Sequence, residues 1–381
     1  MVRVGLVHDW VVDLGGAEKC LQSLHNIYPD APLFTLFYRP ESLARLGFKP
    51  EMVYTSALQD KRNITSNYRW RLPVFPYHIE QLRFDNCDIV LSSSHCVAKG
   101  VMAKSDQLHI CYCHTPASYA WDFSSQFLSD YHMDEGLKSK LAHWLLHYLR
   151  LWDVDSTSRV DYFIANSQTV AQRIWRAYRR RAQVIYPPVE VDRYFPAERK
   201  DRYFLLVSRL VPNKRVPLVI ETFNQLGLPL KVVGDGPQLK YCQQLAGKNV
   251  EVLGYIEGSP LAQLMSGARA LIFPAEDAFG IVPVEAQAAG TPVIALARGG
   301  ARETVVEANG HNWEEATGIF FNDPSVESLS EAIKQFKRWE GRFQTEVMRS
   351  QALKFSQQRY EQEISDYIQS RYQEWLEERI I

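Results

Sequence analysis

Short apolar runs separated by helix-length stretches recur along almost the whole chain, and this alternation limits the folds open to it. The runs fall at residues 2–7, 89–92, 109–113, 162–165 and 184–186, then again at 203–207, 230–233, 250–253, 270–273 and 292–295. Runs this short and this apolar, spaced by longer segments, read as strands of a parallel sheet covered by helices on both faces. The pattern restarts after Pro187-Pro188, where consecutive prolines continue neither a helix nor a central strand and stiffen a linker. At 381 residues the chain exceeds what one hydrophobic core usually serves, so two doubly wound α/β halves are expected. The expected boundaries are 1–186 and 187–350, followed by terminal helices over 351–381. There Leu353, Tyr360, Ile364, Ile368, Tyr372 and Leu376 recur at helical spacing and would pack back towards the first half.

Composition narrows the function. Apolar residues make up 46% of the chain and aromatic ones 12%, enough for sizeable cores and far from the disordered class. Lys and Arg together (43) balance Asp and Glu (44), for a formal charge of −1. That gives no strongly basic field for nucleic acid, so any anion site must be local. Six cysteines, at 20, 87, 96, 111, 113 and 242, show neither CxxC pairs nor the density of a secreted disulfide scaffold, and a reducing compartment is expected. The first residues read as a strand and not as a signal peptide, and no apolar stretch approaches the roughly 20 residues that span a bilayer. A cytoplasmic location follows as the expectation.

Two stretches bear on membrane contact. Leu137, Leu141, Trp144, Leu145, Tyr148 and Trp152 stripe one helical face, with Lys138, Lys140, His143, His147 and Arg150 elsewhere; an ordinary half-buried helix is the expectation here. The segment 61–71, with Lys61, Arg62, Arg69 and Arg71 around Tyr68 and Trp70, is the better candidate for peripheral contact with the inner face of the cytoplasmic membrane. A solvated loop is the competing reading.

Four groups of residues could carry chemistry. The run Glu276-Asp277-Ala278-Phe279-Gly280-Ile281-Val282-Pro283-Val284-Glu285 follows the apolar run 270–273 and opens a small-residue helix. At such a crossing, free N–H groups and the helix dipole point at any anion present, and Gly280 lets the backbone approach it. Glu285 is placed to accept hydrogen bonds from a diol such as a ribose, or simply to cap the helix. Ser208-Arg209-Leu210-Val211-Pro212-Asn213-Lys214 follows the run 203–207, so two cations stand where a strand ends and a helix begins, suited to a diphosphate. The turn Gly234-Asp235-Gly236-Pro237 follows the next run. In the first half, Gly15-Gly16 after the first strand offers unhindered N–H groups, and His114-Thr115-Pro116 stands at a strand's carboxyl end, where doubly wound folds bind ligands. The GxGxxG fingerprint of a dinucleotide-binding fold is absent from the Gly15-Gly16 turn, which disfavours a dehydrogenase.

The run 276–285 resembles the E-x7-E element of the retaining family-four glycosyltransferases, which have the GT-B fold of two Rossmann-like domains facing across a cleft. In this alignment Asp277 takes the first acidic position, where the family has glutamate, and Glu276 stands one place aside; which of them acts as the first carboxylate stays open. Leu72-Pro73 to Glu80-Gln81, Ser92-Ser93-Ser94-His95 with Ala98-Lys99-Gly100, Tyr119-Ala120-Trp121-Asp122, Ala165-Asn166-Ser167, Tyr186-Pro187-Pro188-Val189 and Thr317-Gly318-Ile319 are similar to bacterial mannosyltransferases of O-antigen and exopolysaccharide assembly. The resemblance implies a hexose donor, GDP-mannose, a glycan or lipid-linked acceptor, retention of configuration, and no metal or other cofactor. It assigns Arg209 and Lys214 to the leaving diphosphate and Glu285 to the nucleotide ribose. His114 and Asp277 fall near the sugar, with Gly15, Gly16, Ser208, Gly234, Glu276, Phe279, Gly280, Ile281 and Val282 lining the donor pocket. Two rival readings use the same architecture: a sugar-nucleotide epimerase, and a non-catalytic nucleotide-sugar-binding protein, for which aspartate at 277 is the argument.

Overall fold

A computed structural model of the chain describes residues 2–61, 64–117, 120, 121, 124, 128 and 135–379, with the backbone alone at 66, 67, 69 and 137. Arg62, Tyr119, Asp122 and the side chains of Arg69 and Leu137, all invoked above, lie outside the described residues.

The described strands form two wholly parallel sheets. The first comprises β1 Val4–His8, β2 Leu33–Thr35, β3 Val53–Thr55, β4 Ile89–Ser94, β5 Leu108–Cys113, β6 Tyr162–Ala165 and β7 Ala182–Val184, ordered β3-β2-β1-β4-β5-β6-β7. The second comprises β8 Phe204–Val207, β9 Leu230–Val233, β10 Val250–Gly254, β11 Leu271–Phe273, β12 Val293–Leu296 and β13 Gly318–Phe321, ordered β10-β9-β8-β11-β12-β13. Every residue of β1, β4 and β5 is buried, as a sheet covered on both faces requires; their apolar stretches therefore stand out in the sequence, while the polar Ser92 to Ser94 and His109 are buried with them. β2 and β3 have only three residues each, and with β13 they are missing from the expected runs. The run 184–186 misplaces β7, which ends at Val184; the apolar character continues as Ile185-Tyr186 into the proline pair.

The strand order reverses beside the first strand of each sheet, between β1 and β4 and between β8 and β11. At such a reversal the connecting helices diverge to opposite faces and leave a crevice at the strands' carboxyl ends.

The chain divides into two compact units, one running to Pro188 and resuming at Tyr360, the other Val189–Arg359. The terminal segment is therefore shared. Helix Thr345–Leu353 packs on helix Ile281–Ala288 within the second unit, where Arg349 Nη1 donates to Ala288 O at 2.7 Å and Tyr194 O at 2.9 Å. Helix Gln357–Glu378 sinks Tyr360, Ile364 and Ile368 into the first unit's core, among Leu6, Leu91, Ile110 and Tyr112.

Helix Gly136–Asp155 is half-buried, as expected, but the face it turns inward is not the leucine and aromatic stripe. Leu141, Trp144 and Tyr148 are exposed, while Ser139, Ala142, Leu146, Leu149 and Asp153 are buried. The rotation is set by Asp153, which pairs with buried Lys99 at 2.7 Å and accepts from Tyr178 Oη at 2.8 Å and Trp121 Nε1 at 2.7 Å. A buried lysine left without its carboxylate would cost several kcal/mol, which opposes turning the leucine and aromatic stripe inward.

Candidate active site

In the second unit, three of the expected segments meet at the carboxyl ends of adjacent strands. Ser208-Arg209 leaves β8, Gly234 leaves β9 and Glu276 to Gly280 follow β11. The β8 and β9 exits are locked together by backbone: Ser208 N donates to Val233 O at 3.0 Å and Leu210 N to Asp235 O at 2.8 Å. A Cβ on Gly234 would stand 1.8 Å from Ser208 O, and its φ is +146°; only glycine fits there. Arg209 is exposed. Lys214 closes a 3-10 turn, Pro212–Lys214, and its ammonium pairs with the Asp277 carboxylate. The lysine expected to meet phosphate thus carries the shorter first acid of the run as its partner. Arg215, at φ +51°, donates from Nη1 to Pro274 O at 3.1 Å and ties the two segments together.

Gly280, at φ +89°, caps helix Ile281–Ala288. A Cβ there would meet ordinary contacts at 3.5 Å, so the conformation and not lack of space requires glycine. Below it, the Asp277 carbonyl accepts from Gly300 N at 2.8 Å, and Phe279 is buried edge-on against Phe355 with centroids 5.4 Å apart. Glu276, Asp277, Ile281 and Val282 are half-buried at the rim. Glu285 is 5% exposed. Burial and the adjacent Glu285 carboxylate, which also accepts the phenol's hydrogen bond, drive the Tyr194 pKa far upward, so the tyrosine stays a donor to Glu285. Tyr194 has no motif around it, and sequence reasoning missed it.

The first unit holds a separate polar cluster. Ser93 Oγ at the end of β4 bridges His114 Nε2 at 2.8 Å and His8 Nδ1 at 3.1 Å. Burial, then the charges of His95 and His8, hold His114 well below the ordinary histidine pKa of 6.5, so its imidazole is neutral near pH 7. Glu18 lies 3.7 Å from His8 Nε2. Burial works against its ionisation, but hydrogen bonding to His8 and the charges of His8 and His95 prevail and lower its pKa. Glu18 also accepts Gly15 N at 2.8 Å, the half of a capping box that a glycine N-cap allows, so the turn's donors towards a ligand reduce to the first-turn N–H groups of Gly16 and Ala17. Asp9, fully buried, accepts from the backbone N–H of His95, Cys96, Val97 and Ala98 at 2.7, 3.0, 2.5 and 2.7 Å. This carboxylate fixes the loop that carries His95. Of this support, sequence reading singled out only the Ser92-Ser93-Ser94-His95 run, and it missed His8, Asp9 and Glu18.

A cavity of about 730 Å³ opens at the opposite, amino ends of β1 and β2, lined by Val4, Phe34 and Cys87; none of the candidate residues faces it. Among the described residues no group of three or more His, Cys, Asp or Glu side chains could hold a metal ion, and no helix is long and apolar enough to cross a membrane.

Two parallel doubly wound units, each with its polar residues at the switch point, define the GT-B class of fold. Residues 190–352 match Glycosyl transferases group 1, and residues 33–193 match Glycosyltransferase Family 4; the chain belongs to this family. It is 28% identical over 203 residues to an uncharacterized glycosyltransferase of Methanocaldococcus jannaschii, covering 49% of this chain and 58% of that one. It is 29% identical over 208 residues to a GDP-mannose-dependent monoacylated alpha-(1-6)-phosphatidylinositol monomannoside mannosyltransferase of Corynebacterium glutamicum, covering 46% of this chain and 52% of the other. The chain thus spans about half the length of the curated relatives it matches. In fold it is similar to the crystal structure of Anabaena HepE in complex with UDP, with a TM-score of 0.71 over 97% of this chain and 100% of that one, at 17% identity.

Proposed function

We propose that the protein transfers a hexose, mannose from GDP-mannose, to a hydroxyl of a glycan or lipid-linked acceptor, with retention of configuration and without a metal. The observation that carries this reading is the meeting of Arg209, Lys214 and the helix opened by Gly280 at the second sheet's switch point. Cations and N–H groups aimed at one place suit the charge that develops as a nucleoside diphosphate departs. In the reaction the bond from the sugar's anomeric carbon to phosphate breaks, the acceptor oxygen bonds to that carbon on the same face, and its proton passes to a donor phosphate oxygen. Lys214 would exchange its Asp277 partner for phosphate, leaving the Asp277 carboxylate to a sugar hydroxyl. Glu285 would turn from Tyr194 to the ribose. His114 and the Gly15-Gly16 turn are assigned to the sugar. The curated relatives named for GDP-mannose support that donor; HepE was crystallised with UDP, so uridine donors belong in the test.

The test is incubation of the purified protein with GDP-mannose and UDP-hexoses, with and without polyprenyl-linked glycan, followed by mass spectrometry of products and NMR of the new linkage. Arg209→Ala and Lys214→Ala should each lower turnover by roughly 100-fold, and Glu285→Ala should weaken GDP binding by roughly tenfold. Activity abolished by EDTA and restored by Mg²⁺ would overturn the metal-free reading. Conversion of donor without acceptor into an epimer would indicate the epimerase instead, and binding without any turnover the non-catalytic protein.

A further inference from the structure

The Glu285 carboxylate, assigned above to the ribose, already has a protein partner. Tyr194 and Glu285 are each only 5% exposed, and the Tyr194 phenol donates to the carboxylate. Tyr194 directly follows the 3-10 turn Val191–Arg193, which packs against helix Ile281–Ala288, the helix that carries Glu285. Arg349 Nη1 grips the Tyr194 carbonyl at 2.9 Å and the Ala288 carbonyl at 2.7 Å. The backbone at Tyr194 is thereby pinned to the helix's carboxyl end, which leaves side-chain rotation as the way for the phenol to leave Glu285. Lys214 and Asp277 are paired in the same manner, so before a donor arrives each of the two carboxylates expected to meet it is held by a side chain of this chain.

We propose that the Tyr194 hydroxyl stands in for a ribose hydroxyl until the nucleotide binds, and so sets both the affinity for the nucleotide and its dependence on the ribose. A carboxylate as buried as Glu285 needs a donor. A ribose that reaches it replaces one hydrogen bond by another and displaces the phenol, and that displacement offsets part of what the new contact contributes. A nucleotide lacking the hydroxyl leaves the phenol in place, so Glu285 is never stranded. The exchange lowers the apparent affinity, because the arrangement that accepts ribose has to be populated first. A lower affinity also favours release of the nucleoside diphosphate after transfer. The inference rests on the proposed use of Glu285 for the ribose and adds the residue against which that contact competes.

The experiment is calorimetric titration of the full chain with GDP and UDP and with their 2′-deoxy and 3′-deoxy forms. Tyr194→Phe should bind the ribonucleotide roughly tenfold more tightly than the parent. The penalty for the missing ribose hydroxyl should also grow by roughly tenfold, since no phenol is left to return to the carboxylate. In a Glu285→Ala background, Tyr194→Phe should leave the affinity unchanged, which ties the effect to this one pair. Without nucleotide, Tyr194→Phe should melt earlier than the parent, and saturating GDP should raise its midpoint by more than it raises the parent's. A tyrosine that only packs or orients Glu285 gives the opposite result: ribonucleotide binding unchanged or weakened in Tyr194→Phe, with the hydroxyl penalty as in the parent. That outcome, with Glu285→Ala still weakening binding, would overturn the stand-in role alone. Absence of nucleotide binding by the parent, or binding that Glu285→Ala does not alter, would overturn the assignment of Glu285 to the ribose and this inference with it.

Discussion

Gly234 shows how far a single residue can be read. Its place in a Gly-Asp-Gly-Pro turn after a strand marks a tight backbone approach in the sequence, and the structure supplies the reason: a Cβ would lie 1.8 Å from Ser208 O. Gly234→Ala should therefore cost at least about 3 kcal/mol, read as a lowered urea midpoint, because it pushes the β8 and β9 exits apart. Lys214 and Asp277 were each legible as candidates, but not as partners. The one-methylene deficit of aspartate against glutamate reads as a weakness in the sequence; in the fold that side chain sits at the reach of the Lys214 ammonium. Tyr194 was illegible, because hydrogen bonding to Glu285 joins positions distant in sequence and no local pattern distinguishes a tyrosine that donates to a carboxylate from one that only fills space.

At the scale of elements, β1, β4 and β5 were readable because burial on both faces leaves no polar alternation to confuse them. The three-residue β2 and β3 were not, since so short a run is indistinguishable from chance. Helix Gly136–Asp155 was legible as a half-buried helix but its buried face was not, because Asp153 faces inward to pair with Lys99 and periodicity ranks faces by bulk hydrophobicity alone. β5 also carries a pH dependence. His109 Nδ1 donates to Arg159 O at 2.7 Å, and Nε2 accepts from Ser92 Oγ at 2.8 Å, so both nitrogens are committed to the neutral ring. Burial depresses its pKa to about 4 from 6.5. Between those values the unfolded chain binds the extra proton, so stability falls as pH falls, by up to about 3 kcal/mol, and is unaffected above pH 7. Urea midpoints from neutral pH down to 4 should show this loss, and His109→Gln should flatten the slope.

For the whole molecule, the division at the proline pair was legible because the strand pattern restarts there, and the resemblance spans both halves. The route of the last helix was harder to place, since its apolar spacing says that it packs and not on which core. Tyr360 has no exposed surface and meets Tyr112 edge-on with centroids 5.7 Å apart. Tyr360→Ala should cost about 3–5 kcal/mol, seen as earlier unfolding of the first unit in thermal denaturation, with the second unit's transition in place.

That helix also fixes an order of events during synthesis. The ribosome makes the first unit's strands early, but the core they form lacks Tyr360, Ile364 and Ile368 until all of Val189–Arg359 has been translated. The later unit, whose segments are contiguous, can close on itself first. The nascent first unit must wait with part of its core uncovered, a stage at which a chaperone has the most to bind.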